Sequence, residues 1–504
     1  VMWLTQLLQR NQQCFPDRTA LVDAHRSVTW AELHDRVTRL AHGLSGRGIR
    51  RGDRVAVLSL DRVEVLETYF ALARLGALFV PLNHSLTPAE VTGIAESCDP
   101  VALIGESALL ERHPDLPARI RVPLDGAEFA ALCETDGPAL PDAPAPGPAE
   151  APALPDVPDD ALAAILHTSA TTGRAKGVAV DHASFRAIAL GWLTQARPTD
   201  DMVLVNCCPL YHGSMVVSLT YMAAGATVVL MPGFQPQRAL AAIEDNRATH
   251  VWLVPQMIRF LTQAKSLRST DLSSLREVLY GAAPMPPEVY AEAVERLGCG
   301  FRQVYGMTEV GGPFVTLGPD EHPVPGTSDV IPAGRVIPGM SVKALDPKDQ
   351  EVPPGVIGEI CARGPGLMSG YWNDEKATAD ITTTDGWIRT GDLGFIDRDG
   401  RVHLIDRSKD LIIRAGQNVY PREIEQALRS HPAVHDAAVV GVSDADYGEV
   451  PLAFVVAEDG TTADEVRAHL TGLLAAYKRP RHIRFIEEVP RNPAGKILKK
   501  SLPL

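Results

Sequence analysis

The chain has 504 residues, 45% hydrophobic and 22% charged, the balance of a folded protein large enough for at least two globular units. A formal net charge of -14 excludes the basic field with which a nucleic-acid binder displaces phosphate counterions. The 7 cysteines include no C-x-x-C pair, so neither a disulfide framework nor a zinc site is signalled, and reduced thiols in a cytoplasmic setting are expected.

Residues 2–18 mix Gln, Arg, Asn and Asp among their apolar positions, so no secretory leader is expected. Apolar runs such as 220–231 are shorter than the ~20 residues of a membrane-spanning helix. An apolar run at 53–60 predicts a buried strand, 63–75 carries helical spacing, and 77–81 returns to strand character. This β-α-β alternation recurs through 161–166, 184–194, 202–205 and 224–231, which predicts layered α/β structure with largely parallel strands. Between 137 and 160 the chain is rich in Pro, Ala and acids, and a solvent-exposed connection is expected. Past Trp387, segments 394–397 and 401–405 flank an Asp399-Gly400 turn and predict a hairpin. The tail alternates a helix at 421–428, strands at 437–442 and 452–456, and a helix at 463–474, which makes a compact α+β unit of domain size. The expected division is therefore a large domain at 1–406 and a small one at 407–504, joined near 407–410.

Thr168, Ser169, Ala170, Thr171, Thr172, Gly173, Arg174, Ala175, Lys176 and Gly177 fill a strand-to-strand loop between the apolar runs 161–166 and 178–180. Small hydroxylated residues with Gly give phosphate oxygens short donors and close backbone approach, and Lys176 adds charge. The spacing is not that of a Walker loop, and a Ser/Thr-rich surface turn is the alternative the residues alone leave open. Tyr305, Gly306, Met307, Thr308 and Glu309 follow a second apolar run and precede Gly311 and Gly312. Glu309 is a candidate hard-oxygen ligand for Mg2+, and Thr308 a donor to an α-phosphate, although in isolation the segment reads as a tight turn carrying an acid. In Thr390-Gly391-Asp392 a carboxylate at a strand end can accept both hydroxyls of a ribose. Residues 406–410 form a charged bridge into the tail, and Pro493-Ala494-Gly495-Lys496 places a glycine-flanked lysine on a loop.

The order and spacing of these segments resemble the ANL adenylate-forming superfamily: acyl- and aryl-CoA ligases, adenylation domains of nonribosomal peptide synthetases, and beetle luciferases. The resemblance runs from the 66–76 region to Lys496. It implies that the loop Thr168, Ser169, Thr171, Thr172, Gly173 and Lys176 wraps the β- and γ-phosphates of ATP. By the same resemblance Gly281, Ala282 and Ala283 line the adenine and Tyr305 stacks near it beside Gly306. Thr308 serves the α-phosphate, Glu309 holds Mg2+, and Asp392 and Arg407 hold the ribose. Lys409 falls at the hinge of a mobile C-terminal domain, and Lys496 bridges the acid's carboxylate and the α-phosphate. Such chemistry brings two anions together, so their charge must be neutralised in the transition state. Three positions depart from the family pattern: Ala170 where Gly is usual, Ala175 where Pro is frequent, and His167 where an aromatic residue is frequent.

The resemblance places Tyr211, His212, Gly213, Ser214 and Met215, with Gly281, Gly306 and Gly311, around the activated acid, His212 lying near its carboxylate. No Asp occurs between Pro209 and Met231, which disfavours an α-amino acid because its buried ammonium would have no partner. An aryl, arylpropenoic or medium acyl acid is expected, with coenzyme A or a carrier-protein phosphopantetheine as acceptor, and with no nucleic-acid or membrane partner. A third alternative remains: some relatives in natural-product pathways adenylate nitrite and pass it to an aryl amine.

Overall fold

The β-α-β unit expected at 53–81 forms as strand Arg54–Leu58, helix Val63–Leu75 and strand Leu78–Pro81, the two strands pairing in parallel. The helix ends where Gly76 takes φ 67 and donates its N–H to Leu72 and Ala73, a left-handed cap that glycine adopts without steric cost. The computed structural model describes residues 3–133, 154–168, 175–211, 213–328, 330–414, 417–444, 446–492 and 496–503. Most of the connection expected at 137–160 lies outside them.

Among the described residues the large domain carries three sheets. In the first, seven strands are ordered Gly370–Tyr371, Gly177–Asp181, Leu162–His167, Leu78–Pro81, Arg54–Leu58, Ala102–Gly105, Ile120–Pro123. The second has nine, and its centre (Thr227–Leu230, Val203–Asn206, His250–Leu253, Glu277–Gly281, Gly300–Met307) is parallel, as the alternation predicts. One continuous apolar core draws on both sheets and on helices Trp30–Gly46, Val63–Leu75, His182–Ala196 and Ser214–Ala223. Burial at this scale supplies the main stabilisation, about 25 cal/mol per Å² of apolar surface.

The strand expected within 224–231 is shorter than the apolar segment. Residues up to Ala223 close helix Ser214–Ala223, Gly225 turns the chain at φ 90, and the strand is only Thr227–Leu230. A third, antiparallel sheet joins Ser341–Leu345, Gly358–Arg363, Ile388–Ile396 and Val402–Arg407. Its last hairpin contains the predicted turn, but the strands are longer than expected. Asp392 therefore lies inside a strand, opposite Arg407, rather than at a strand end.

The tail builds a separate sheet from Ile412–Arg414, Gln417–Val419, Val434–Asp444, Gly448–Ala457 and His482–Phe485. Helix Pro421–Arg429 begins with Pro at its first turn, where the missing N–H has no partner to lose, and Ala463–Leu473 starts from a Thr462–Glu465 capping box. These elements enclose their own core around Ile424, Leu428, Val439, Val455 and Leu470.

Candidate active site

A cavity of about 510 Å³ gathers residues from all three sheets of the large domain, including the hairpin ending at Arg407, and from the tail. Thr168 and Lys176 reach it from the base of the hairpin loop, which Thr168 N–H closes on Lys176 O at 3.1 Å. Ser169, Ala170, Thr171, Thr172 and Gly173 lie outside the described residues. The Lys176 ammonium sits 4.7 Å from the ring centre of Tyr371, a cation–π contact that fixes the lysine at the cavity wall. Of the departures from the family pattern, Ala175 packs on a small apolar cluster. Burial lowers His167 to about 4, so it is a neutral ring, 3.6 Å from Cys98 Sγ.

Strand Gly300–Met307 delivers the second motif. Thr308–Val310 turns as one 3-10 helix, and Gly311 at φ 68 returns the chain into Gly312–Leu317. A Cβ on Gly306 would stand 2.3 Å from Gly312 O, so this hairpin admits only glycine there. Glu309 is buried and accepts the Tyr371 hydroxyl at Oε1 over 2.7 Å. Burial first, and then the Glu309 charge, push the Tyr371 hydroxyl well up, so it stays a donor. Thr308 and Glu309 are hard-oxygen donors, and no group of three metal-ligating side chains exists among the described residues. That set fits an ion such as Mg2+, which is held by one or two protein oxygens plus substrate phosphates.

Tyr305 and Asp392 meet beneath the wall: the Tyr305 hydroxyl donates to Asp392 Oδ2 at 2.7 Å, and Arg407 Nε lies 2.7 Å from Oδ1. Thr390 Oγ accepts the Asp392 N–H, and Gly391, at φ 70, donates its N–H to Glu359. The carboxylate is thus fixed on both oxygens, with acceptor capacity left over. Ala282 holds φ 66, a left-handed conformation costing a residue with a Cβ roughly 1–2 kcal/mol, and lines the cavity. Gly281, Ala283, Tyr305 and Asp392 are not on the wall itself.

Lys496 enters from the tail. Its N–H donates to Asn492 Oδ1 at 2.9 Å, and Asn492 N–H donates to Lys496 O at 2.9 Å, which pins both stems of the loop whose tip, 493–495, lies outside the described residues. Burial, then the Arg407 and Lys409 cations, lower the Lys496 ammonium to about 8. Lys409, in the turn Ser408–Asp410, lines the same cavity and is itself lowered by burial.

One stretch of the remaining wall is apolar, with Phe185, Met215, Val216, Trp252, Val254 and Val304 beside Tyr211, Gly213, Ser214, Gly306 and Gly311 of the expected acid pocket, while Glu359, Asp380 and Arg389 also line the cavity. His212 lies outside the described residues. Tyr371 and Asn492 were not legible as site residues, because neither belongs to a local pattern of chemistry-bearing side chains.

The chain matches the AMP-binding enzyme model over residues 8–372 and the AMP-binding enzyme C-terminal domain over residues 423–496. It is 37% identical to a fatty acid–[acyl-carrier-protein] ligase, ScoC, of Streptomyces coeruleorubidus, covering 99% of this chain and 95% of that protein. It is 36% identical to a feruloyl-CoA synthase of Amycolatopsis sp, covering 97% and 96%. The fold superposes on ATP-bound MatB from Rhodopseudomonas palustris with a TM-score of 0.87 at 32% identity, over 98% of this chain and 97% of that one. Fold and relatives together define an AMP-forming acid–thiol ligase, which activates an acid as its adenylate and transfers it to a thiol. The chain belongs to the AMP-binding enzyme family. No helix among the described residues is long and apolar enough to cross a membrane.

Proposed function

We propose that this enzyme activates an apolar aryl or acyl carboxylic acid and passes it to coenzyme A, with residues 1–406 forming the adenylation domain, 407–504 the mobile tail, and the hinge at 407–410. The observation that carries this reading is the meeting of Lys496, from the tail, with Thr308, Glu309, Arg407 and an apolar wall in one cavity. In it the Lys496 ammonium lies between the acid's carboxylate and the α-phosphate and offsets the repulsion of the two anions as they approach. Thr308 donates to the α-phosphate, Lys176 meets the departing phosphates, and Asp392 with Arg407 holds the ribose. Glu309 is the residue that would hold Mg2+, which when bound would supply charge neutralisation to the phosphates.

The apolar wall favours a carbon skeleton over a small anion such as nitrite, since Phe185, Met215, Val216, Trp252, Val254 and Val304 offer a bare anion no donor in their side chains beyond one indole N–H. Two arginines on the tail, one of them paired with Asp444, suit the phosphates of coenzyme A. The guanidinium carbons of Arg414 and Arg481 lie 4.8 and 5.8 Å from the ring centre of half-exposed Tyr447, a surface suited to a phosphorylated purine. ATP–pyrophosphate exchange across aryl, fatty and amino acids, with nitrite included, tests the reading: exchange is expected with aryl or medium acyl acids, and exchange confined to amino acids or nitrite would refute it.

A further inference from the structure

Two segments meet the phosphates of ATP in the adenylation reading, the strand that leaves Lys176 and the turn at Glu309, and a third segment, 368–372, stitches them together. Met368 N–H donates to Glu309 O at 2.9 Å, Ser369 N–H to Ala179 O at 2.9 Å, and Trp372 N–H to Gly177 O at 2.7 Å. Tyr371 lies opposite Val178 where strand Gly370–Tyr371 pairs with Gly177–Asp181. Its own N–H donates to Thr378 Oγ1 at 2.9 Å, from helix Glu375–Ile381. These bonds fix the Tyr371 backbone against both segments.

The side chain then makes one contact with each motif. Its hydroxyl donates to Glu309 Oε1 at 2.7 Å, and its ring carries the Lys176 ammonium 4.7 Å from the ring centre. All three side chains line the active-site cavity, where Tyr371 and Glu309 are buried and Lys176 is exposed. Glutamate and lysine are flexible chains that lose rotamer freedom when they take up a ligand, whereas a packed tyrosine on a fixed backbone has little freedom left to lose. A group held in its binding orientation beforehand lowers that ordering cost.

We propose that Tyr371 is a positioning residue for adenylation: its hydroxyl sets the orientation in which Glu309 meets a divalent cation, and its ring sets where the Lys176 ammonium meets the phosphates of ATP. The inference rests on the adenylation reading above. The two contacts separate by chemistry. Phenylalanine keeps the ring and loses the hydroxyl, while leucine loses both. A hydrogen bond to a metal-binding carboxylate typically governs metal affinity about 10-fold or more, because without it the carboxylate turns away. The ring acts on the lysine alone, so its effect is read on ATP in the absence of metal.

The test uses the full chain and two binding measurements that need no turnover. Mn2+ binding to the complex with α,β-methylene-ATP is followed by electron paramagnetic resonance, and ATP binding in EDTA by calorimetry. Tyr371→Phe should weaken Mn2+ binding about 10-fold and leave the metal-free Kd for ATP at its wild-type value. Tyr371→Leu should lose Mn2+ to the same extent and raise that Kd about 5-fold, an effect that disappears in a Lys176→Met background. Wild-type Mn2+ affinity in Tyr371→Phe would overturn the role of the hydroxyl. Equal metal-free Kd values in the leucine and phenylalanine variants, or a leucine effect undiminished without Lys176, would overturn that of the ring. Phenylalanine keeps the buried ring, so its Mn2+ affinity decides the proposal even where thermal melting shows that leucine prevents folding. Failure of ATP–pyrophosphate exchange with every acid would instead overturn the adenylation reading.

Discussion

The hydroxyl of Tyr305 and the carboxylate of Asp392, 87 residues apart, are joined by a 2.7 Å hydrogen bond beneath the cavity wall. The bond orients a carboxylate whose other oxygen is held by Arg407. Tyr305→Phe keeps the ring packed on Phe314 and removes only the donor. The expected result is a rise in the KM for ATP approaching tenfold, about 1.4 kcal/mol, with the acid's KM unchanged. Asp392→Ala should cost more, because it removes the group itself. Steady-state kinetics with each substrate varied checks both.

A pH dependence follows from Lys496, whose ammonium burial and the neighbouring cations lower to about 8. The lysine is charged below that value and neutral above it, and only the charged form offsets the two approaching anions. The kcat/KM for ATP in pyrophosphate exchange should therefore fall as pH rises through about 8. Lys496→Arg, charged throughout, should be slower and should lack this limb. A wild-type profile flat to pH 10 would contradict the assignment.

Lys176→Ala should raise the KM for ATP about tenfold and leave that for the acid alone, since its ammonium lies at the hairpin end of the cavity, against Tyr371. A rise confined to the acid's KM would place the lysine elsewhere in the reaction.

The hinge is tested by comparing Lys409→Pro with Lys409→Ala. Both remove the charge that reaches the cavity, but only proline fixes φ and restricts Ser408 before it. Pyrophosphate release in a single turnover should match between the two variants. Thioester formation should be slower in the proline variant, as a tail that rotates about the proposed hinge for the second step requires. Equal thioester rates would remove rotation about 407–410 from the account.

Local pattern explains what was legible. The helix Val63–Leu75 took the expected bounds because its apolar run stops at a glycine, and the hairpin around Gly400 was marked by its turn residues. The strand expected at 224–231 forms only over Thr227–Leu230, because Gly225 spends the start of the segment on a turn that apolar composition does not mark. Thr308, Glu309, Arg407 and Lys496 were visible as motifs and do converge on one cavity. The partners that hold the site were not visible. Tyr371 reaches Glu309 across 62 residues of sequence, a distance over which no periodicity carries information.

The most direct measurement of the central claim is a single turnover of wild type and Lys496→Ala, first with ATP and an exchange-competent acid, then with a supplied acyl-adenylate and coenzyme A. The variant should lose pyrophosphate release by several orders of magnitude yet convert the supplied adenylate to thioester at nearly the wild-type rate. Pyrophosphate release in the variant close to wild type would contradict that claim.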